Sequence, residues 1–316
     1  MTPPSPGYIQ LFPTLHCNQQ CSFCFNRGIT RQPGGLTAAG LEQLVRRIAE
    51  AGIPALDILG GEPTLHRDLY GLLGSAVEYG LRVTMSTNGS DPAALRRIRH
   101  SFGDSVAIGI SLNGEPVSAG LHDFIVAYRP LLKSLYEPRS RLLRQRLRAY
   151  AGLAGTTYYL LYRDALTSED LGRSIPLPRF LDAARSLRKR YAGIDTVYCS
   201  GFIPNATDHS LTESARCPAG SAKLSVMPDG SVYPCYLLFR HKEFMLGNIL
   251  TDDIAGILAH PALDWFRTFA GNRCPDTGCR LFSRCRGGCP AVSLLVCSDL
   301  TAPDPRCIRP AIGGGR

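Results

Sequence analysis

An α/β architecture, a partial (β/α)6 TIM-like barrel followed by a small cysteine-rich C-terminal domain, is the fold class this sequence predicts, and three patterns predict it. Apolar, β-branched segments alternate with segments of helical periodicity through the first 200 residues, as repeated βα units require. The polar and glycine-rich motifs of that half fall just after strand segments, where parallel α/β folds place their chemistry. Beyond about residue 204 the alternation gives way to short strand segments, turns and cysteines.

The elements follow in order. Strands are predicted over residues 8–13, 55–59, 81–86, 106–111, 156–162 and 196–199, and helices over 37–51, 68–79, 92–100, 121–149 and 178–191. The first helix is the best marked: Thr37 is its N-cap, Leu41, Leu44, Val45 and Ile48 share one face, and Gly52 then Pro54 stop it. In MPDGSVYPC, Asp229-Gly230 marks a hairpin turn. The domain boundary is expected between Cys199 and Cys217, giving domains 1–203 and 204–316. There is no internal repeat and no low-complexity tract.

Composition narrows the function classes. A chain of 316 residues exceeds the usual single domain, so one large domain with a smaller appendage is expected. Apolar residues at 44% and charged residues at 19% describe a chain that folds. The net charge of +9 is dispersed, with local density only at 139–148 and 185–190. Nucleic-acid binding wants a concentrated basic stripe with interleaved aromatics, so it is not expected; attraction of an anionic peptide stays open. No apolar run reaches the roughly 18 residues of a membrane span, and MTPPSPGYIQLF lacks a basic n-region and a long h-region. A cytoplasmic protein off the membrane is expected. Its twelve cysteines are then reduced, and read as metal ligands. Cys17, Cys21 and Cys24 open the chain, none follows until Cys199, and eight lie between Cys217 and Cys307, so two metal regions are expected.

HCNQQCSFCF places three cysteines close enough for one loop to wrap three corners of a cubane. A 4Fe-4S cluster usually takes four thiolates. Three leave one iron with an open position, the mark of a reactive rather than a closed metal site. Zinc is the competing reading, with His16 as the available but poorly spaced fourth ligand. The CxxxCxxC spacing after the first strand, with Phe23 before the last cysteine, resembles the radical S-adenosylmethionine (SAM) family. LGGEPTLH at 59–66, STNG at 86–89 and SLNG at 111–114 resemble that family's following motifs in order.

The resemblance implies a mechanism. SAM chelates the open iron, the reduced cluster cleaves its S–C5' bond, and a 5'-deoxyadenosyl radical takes hydrogen from substrate; the cofactor carries the chemistry. Gly60 and Gly61 let backbone approach a ligand closely, and Glu62 accepts the charge of the SAM ammonium. Ser86, Asn88 and Ser111 belong to segments that contact the methionine and ribose parts. Phe23 packs near the adenine or merely covers the cluster.

In the second half, Cys217 and Cys235 flank Gly230, and CPDTGCRLFSRCRGGC carries Cys274, Cys279, Cys285 and Cys289, followed by Cys297 and Cys307. This resembles the SPASM extension of radical SAM maturases, which holds two auxiliary 4Fe-4S clusters. Carried over, one takes Cys217, Cys235 and Cys289, and the other Cys274, Cys279, Cys285 and Cys307. Four residues separate Cys274 from Cys279 where the family usually has two. The fourth ligand of the first cluster is Cys199 or is missing, and Cys297 competes with Cys307, though it can equally be a buried thiol. Paired zinc sites suit these spacings too.

SPASM enzymes mostly modify ribosomally made peptides, so oxidative peptide modification such as crosslinking is the leading expectation. A sulfatase-type formylglycine activity is disfavoured because Tyr236 stands where that branch has an Asp. Sixteen residues before Cys17 leave no room for a fused recognition domain, so a separate peptide-recognition protein or direct recognition is expected, with a flavodoxin- or ferredoxin-type reductant. A small-molecule dehydrogenase, for example of a sugar alcohol, and a non-catalytic iron-sulfur or zinc scaffold are the alternatives. Tyr236, His241, Arg163 and Tyr198 are polar residues near the expected site edges, and no catalytic acid or base is named.

Overall fold

The computed structural model describes residues 6–27, 35–114, 116–191, 193–197, 217–268 and 271–308. Tyr198 and Cys199 lie outside the described residues. The strands are β1 Tyr8–Leu11, β2 Ala55–Ile58, β3 Arg82–Thr87, β4 Val106–Ser111, β5 Leu131–Leu135, β6 Tyr158–Leu161, β7 Ile194–Val197, β8 Lys223–Val226, β9 Ser231–Tyr233 and β10 Gly247–Asn248. The helices are α1 Ala38–Glu50, α2 Leu69–Glu78, α3 Pro92–Phe102, α4 Ala119–Tyr128, α5 Arg141–Tyr150, α6 Leu177–Arg188, α7 Ile254–Leu258, α8 Ala262–Arg267, α9 Phe282–Cys285 and α10 Pro290–Cys297.

The chain forms two compact units. The first comprises 1–133, 201–204 and 218–268, and the second 134–200, 205–217 and 269–316. In the first, β1, β2, β3, β4 and the start of β5 run parallel in sequence order. Residues 218–268, which the sequence assigns to the C-terminal domain, join this unit because β8 pairs in parallel with β1, from Tyr8↔Lys223 to Leu11↔Val226. The hairpin turn forms as expected, with β9 antiparallel to β8, Gly230 at φ +84° and its N–H on Met227 O at 2.9 Å. In the second unit β6 and β7 pair in parallel, Tyr158 opposite Ile194.

The strand β2 is buried along its whole length, as a parallel strand covered on both faces should be. Helix α1 forms as its sequence predicts: Thr37 accepts from Gly40 N, and Leu41, Leu44, Val45 and Ile48 are buried. The single helix expected over 121–149 is instead α4, β5 and α5. Arg129, at φ 49°, ends α4 in the left-handed region, Pro130 has no N–H to continue it, and Ser140 caps α5 by accepting from Leu143 N. Between them LLKSL is an apolar strand with one lysine. A seventh strand therefore precedes residue 198 among the described residues, one more than expected.

Candidate functional site

Past the end of β1, residues 14–16 run directly against the GGE segment that follows β2. Gly61 N donates to Thr14 O and Glu62 N to His16 O, each at 2.8 Å. A Cβ on Gly60 would lie 2.5 Å from Thr14 O, and one on Gly61 2.1 Å from His16 O. What the paired glycines admit is thus the backbone leading into the cysteine loop, where the sequence suggested a ligand. Gly60 also sits at φ +134°, which a side chain rarely adopts.

The loop itself is fixed by its own donors. Cys24 N donates to Cys21 O at 3.1 Å, Gln19 N points to Cys17 Sγ and Asn26 N to Cys24 Sγ, both at 3.4 Å, and Asn88 Nδ2 reaches Cys17 Sγ at 3.9 Å. N–H groups aimed at sulfur suit negatively charged, metal-bound thiolates and help set a cluster's potential. Three thiolates within one loop, with no fourth thiolate in it, are the ligand type a 4Fe-4S cluster takes. Behind the loop, Phe25 packs on Phe12 at 5.3 Å, Tyr236 at 5.0 Å and Phe239 at 5.9 Å between ring centroids. Phe25 anchors the loop through these ring contacts, and it and Phe23 are both half-buried.

Glu62 is fully buried. Its Oε1 accepts from Thr64 N at 3.1 Å, Thr64 Oγ1 at 2.6 Å and Thr87 Oγ1 at 2.7 Å, and its Oε2 from Asn88 N at 2.7 Å. Burial pushes its pKa up, and these donors oppose the rise. Asn88 therefore joins three motifs: its N–H is on Glu62, and its Nδ2 is on Asn18 Oδ1 at 2.9 Å beside Cys17. The SLNG turn also meets the loop, since a Cβ on Gly114 would touch Gln19 Oε1 at 3.2 Å. Ser111, half-buried, ends β4 opposite Lys133.

Sequence reasoning missed a polar layer across this unit's strands. Lys133 Nζ donates to Ser86 Oγ at 2.9 Å, Gln10 Nε2 to Asp57 Oδ2 at 3.3 Å, and Lys223 Nζ to Gln10 Oε1 at 2.9 Å, all buried. Burial pushes Asp57 up to about 7 against the attraction of Lys133 and Lys223. It likewise brings Lys133 down to about 8 against the attraction of Asp57. The available signal was a polar or charged residue inside each apolar strand: YIQL, ALDI, LLKSL and KLSV. Tyr236 is buried against Phe12 and Phe25, behind the loop, with Lys223 over its ring at 5.3 Å. His241 pairs with Glu243 at 3.2 Å.

In the second unit, Cys285 and Cys289 sit on either side of Arg286-Gly287-Gly288, and Cys307 closes the described chain but for one residue. Burial pushes the Cys285 thiol up to about 12, with Cys307 the next cause. Burial raises Cys289 well above its ordinary value; Arg306 opposes this and Cys217 adds to it. Burial raises Cys307 too, although Leu177 N, in the first turn of α6, donates to its Sγ at 3.1 Å. A bound metal would take these groups as thiolates, and thiolates are the ligands an iron-sulfur cluster takes. Cys285 thus neighbours Cys307, and Cys289 neighbours Cys217. Cys297, at the end of α10, has Asp304 and Asp299 as its charged neighbours. Arg163 is buried and binds Glu137 at 2.6 Å. Cys274 and Cys279 are half-buried, and Cys235 is buried in the first unit.

Residues 11–114 match the model of the radical SAM superfamily, and residues 217–290 that of SPASM, an iron-sulfur cluster-binding domain. Mycofactocin maturase MftC of Mycobacterium ulcerans (strain Agy99) is 26% identical over 326 residues, covering 94% of this chain and 86% of that protein. PqqA peptide cyclase of Methylobacterium sp. (strain 4-46) is 25% identical over 347 residues, covering 97% and 88%. Streptococcus suis SuiB bound to S-adenosylmethionine superposes with a TM-score of 0.69 at 18% identity, over 96% of this chain and 77% of that one. SuiB bound to precursor peptide SuiA gives 0.67 at 17% identity, over 96% and 76%. These structural likenesses establish the fold.

Proposed function

Because the chain belongs to the radical SAM superfamily and carries a SPASM iron-sulfur cluster-binding domain, we propose that it oxidatively modifies a ribosomally made peptide, as by crosslinking, through hydrogen abstraction. The observation that carries the radical chemistry is the loop of Cys17, Cys21 and Cys24, laced to GGE by two backbone hydrogen bonds and supplied with N–H donors to two of its sulfurs. Support for a peptide substrate comes from near full-length similarity to proteins named as a maturase and a peptide cyclase.

When bound at that loop, a 4Fe-4S cluster supplies the electron that splits SAM into the hydrogen-abstracting radical. The protein's own residues then have defined tasks. Cys17, Cys21 and Cys24 hold the cluster, and Phe12, Phe25, Tyr236 and Phe239 keep water from the back of the loop. Among the described residues Glu62 Oε2 accepts from Asn88 N alone, so it retains capacity for an ammonium donor. Lys133 has donors only, so Ser86 Oγ accepts from it and keeps its own proton for a ligand oxygen. In the second unit Cys274, Cys279, Cys285 and Cys307 hold an auxiliary cluster, and Cys217 and Cys289 serve another. Cys307 is preferred to Cys297 because it, not Cys297, neighbours Cys285. Clusters held there would supply acceptors for the electron released when the product is oxidised. A flavodoxin- or ferredoxin-type protein supplies the reductant, the peptide is presented by a separate protein or recognised directly, and the cytoplasm is the compartment. Among the described residues no helix is long and apolar enough to cross a membrane.

The test is anaerobic turnover with SAM, reductant and each short peptide encoded beside the gene, read by mass spectrometry. A crosslink gives a product lighter by a pair of hydrogens, with 5'-deoxyadenosine formed alongside. Brisk SAM cleavage with every peptide unchanged, and a small polyol oxidised instead, would replace the peptide reading.

A further inference from the structure

One charged group in the second unit has no part in the ligand sets above and yet is bonded to the residue that bridges Cys289 and Cys307. Arg306 is buried, 4% exposed. Its Nε and one terminal nitrogen form a fork on Asp304, at 2.9 Å to Oδ1 and 2.6 Å to Oδ2. Its other terminal nitrogen donates to Arg163 O at 2.9 Å and lies 3.5 Å from Asp164. The guanidinium plane stands over Tyr162, 4.4 Å from the ring centroid. Asp304 is as buried as its partner and holds two cysteine-bearing turns together. Its Oδ2 accepts from Cys289 N at 2.9 Å, its N–H is on Gly287 O at 3.0 Å, and its own carbonyl accepts from Cys307 N at 3.0 Å. Gly288, at φ +96°, leaves no room for a Cβ, which would lie 2.3 Å from Asp304 Cβ.

Its three hydrogen bonds go to a carboxylate and a carbonyl, and its planar face lies on a ring. Burying such a pair is costly, and replacing it by apolar residues is often neutral for stability. Its place against the backbones of Cys289 and Cys307 points to a role in the chemistry of those sulfurs. We propose that the Arg306–Asp304 pair is a positioning device between the two auxiliary iron-sulfur sites, fixing Cys289 of one and Cys307 of the other relative to each other and holding an auxiliary reduction potential up with a buried cation. The inference rests on the reading that the SPASM region holds clusters. One electron entering an oxidised cluster adds one negative charge. A cation in low dielectric stabilises that added charge, and a carboxylate opposes it. Asp164, 17% exposed, is partly screened by water and matters less.

The experiment is a redox titration of the reconstituted full-length holoenzyme, followed by electron paramagnetic resonance, with iron content measured in parallel. R306Q is expected to shift an auxiliary midpoint potential downward, D304N to shift it upward, and R306K to stay near wild type. Midpoints unmoved in both R306Q and D304N, shifts of the same sign, or an R306K drop equal to that of R306Q would each overturn the proposal. Should R306Q emerge without auxiliary iron, D304N decides alone: an upward shift supports the charge role, and any other result refutes it. Wild-type protein with iron for one cluster only would instead sink the underlying cluster reading, a result visible before any variant is made.

Discussion

Gly61→Ala places a methyl group where the structure has none to spare. The Cβ would lie 2.1 Å from His16 O and 2.5 Å from Leu15 O, both backbone atoms, so the entry to the cysteine loop must retreat by about 1 Å to restore even a tight contact. The hydrogen bonds from Gly61 N to Thr14 O and Glu62 N to His16 O, now 2.8 Å, do not survive that displacement. Each contributes about 1 kcal/mol net, and overpacking adds roughly 1–3 kcal/mol. A total of about 3–5 kcal/mol corresponds to a fall of roughly 10 °C in Tm. Because His16 adjoins Cys17, iron at the first loop should fall with it. Thermal unfolding and iron analysis read both effects. Gly71→Ala is the control: Gly71 is exposed on α2 with nothing within 4 Å of its Cβ site, and the change should stabilise by about 1 kcal/mol. Wild-type Tm and iron content in G61A would refute the claim that these glycines serve backbone approach.

Lys133→Met should destabilise by about 3–5 kcal/mol, since it leaves buried Asp57 without its nearest-coupled cation; denaturant titration should show Asp57→Asn recovering much of that loss in the double variant. Asp57, raised from 3.8 to about 7, contributes stability that is complete below its unfolded value and is lost as pH rises through 7. The stability difference between wild type and D57N should therefore shift against wild type between pH 4 and 7, and a flat difference would contradict the burial argument. Phe25→Ala opens the aromatic cluster behind the loop, at a cost of about 3 kcal/mol, and should speed cluster loss on exposure to chelator. Thr37→Ala removes the cap on Gly40 N and should cost about 1 kcal/mol with cluster content unchanged.

The strands and helices that follow simple periodicity were legible in the sequence. ALDI, VAIGIS and the capped helix after Thr37 carry strong local signals and short connections, and they form where expected. The stretch after α4 was misread because LLKSL, between apolar α4 and an arginine-rich segment, matches a helical pattern as well as a strand, and Pro130 decides between them. The first site's motifs were legible because each is contiguous. Its supports were not: Lys133 reaches Ser86 across 47 positions and Lys223 reaches Gln10 across 213, pairings set by strand order alone. The pairing of β8 with β1 is equally invisible locally, which is why residues 218–268 pack with the first unit although their cysteine pattern belongs to the second half.

The most direct test of the account counts iron and sulfide per chain after anaerobic reconstitution, with wild type beside a variant carrying Cys17→Ala, Cys21→Ala and Cys24→Ala. Three four-iron clusters predict about twelve irons in wild type and about eight in the variant, with SAM cleavage abolished in the variant. About four irons falling to none, with zinc in place of iron in the C-terminal half, would contradict it by removing the auxiliary electron acceptors on which the proposed oxidation depends.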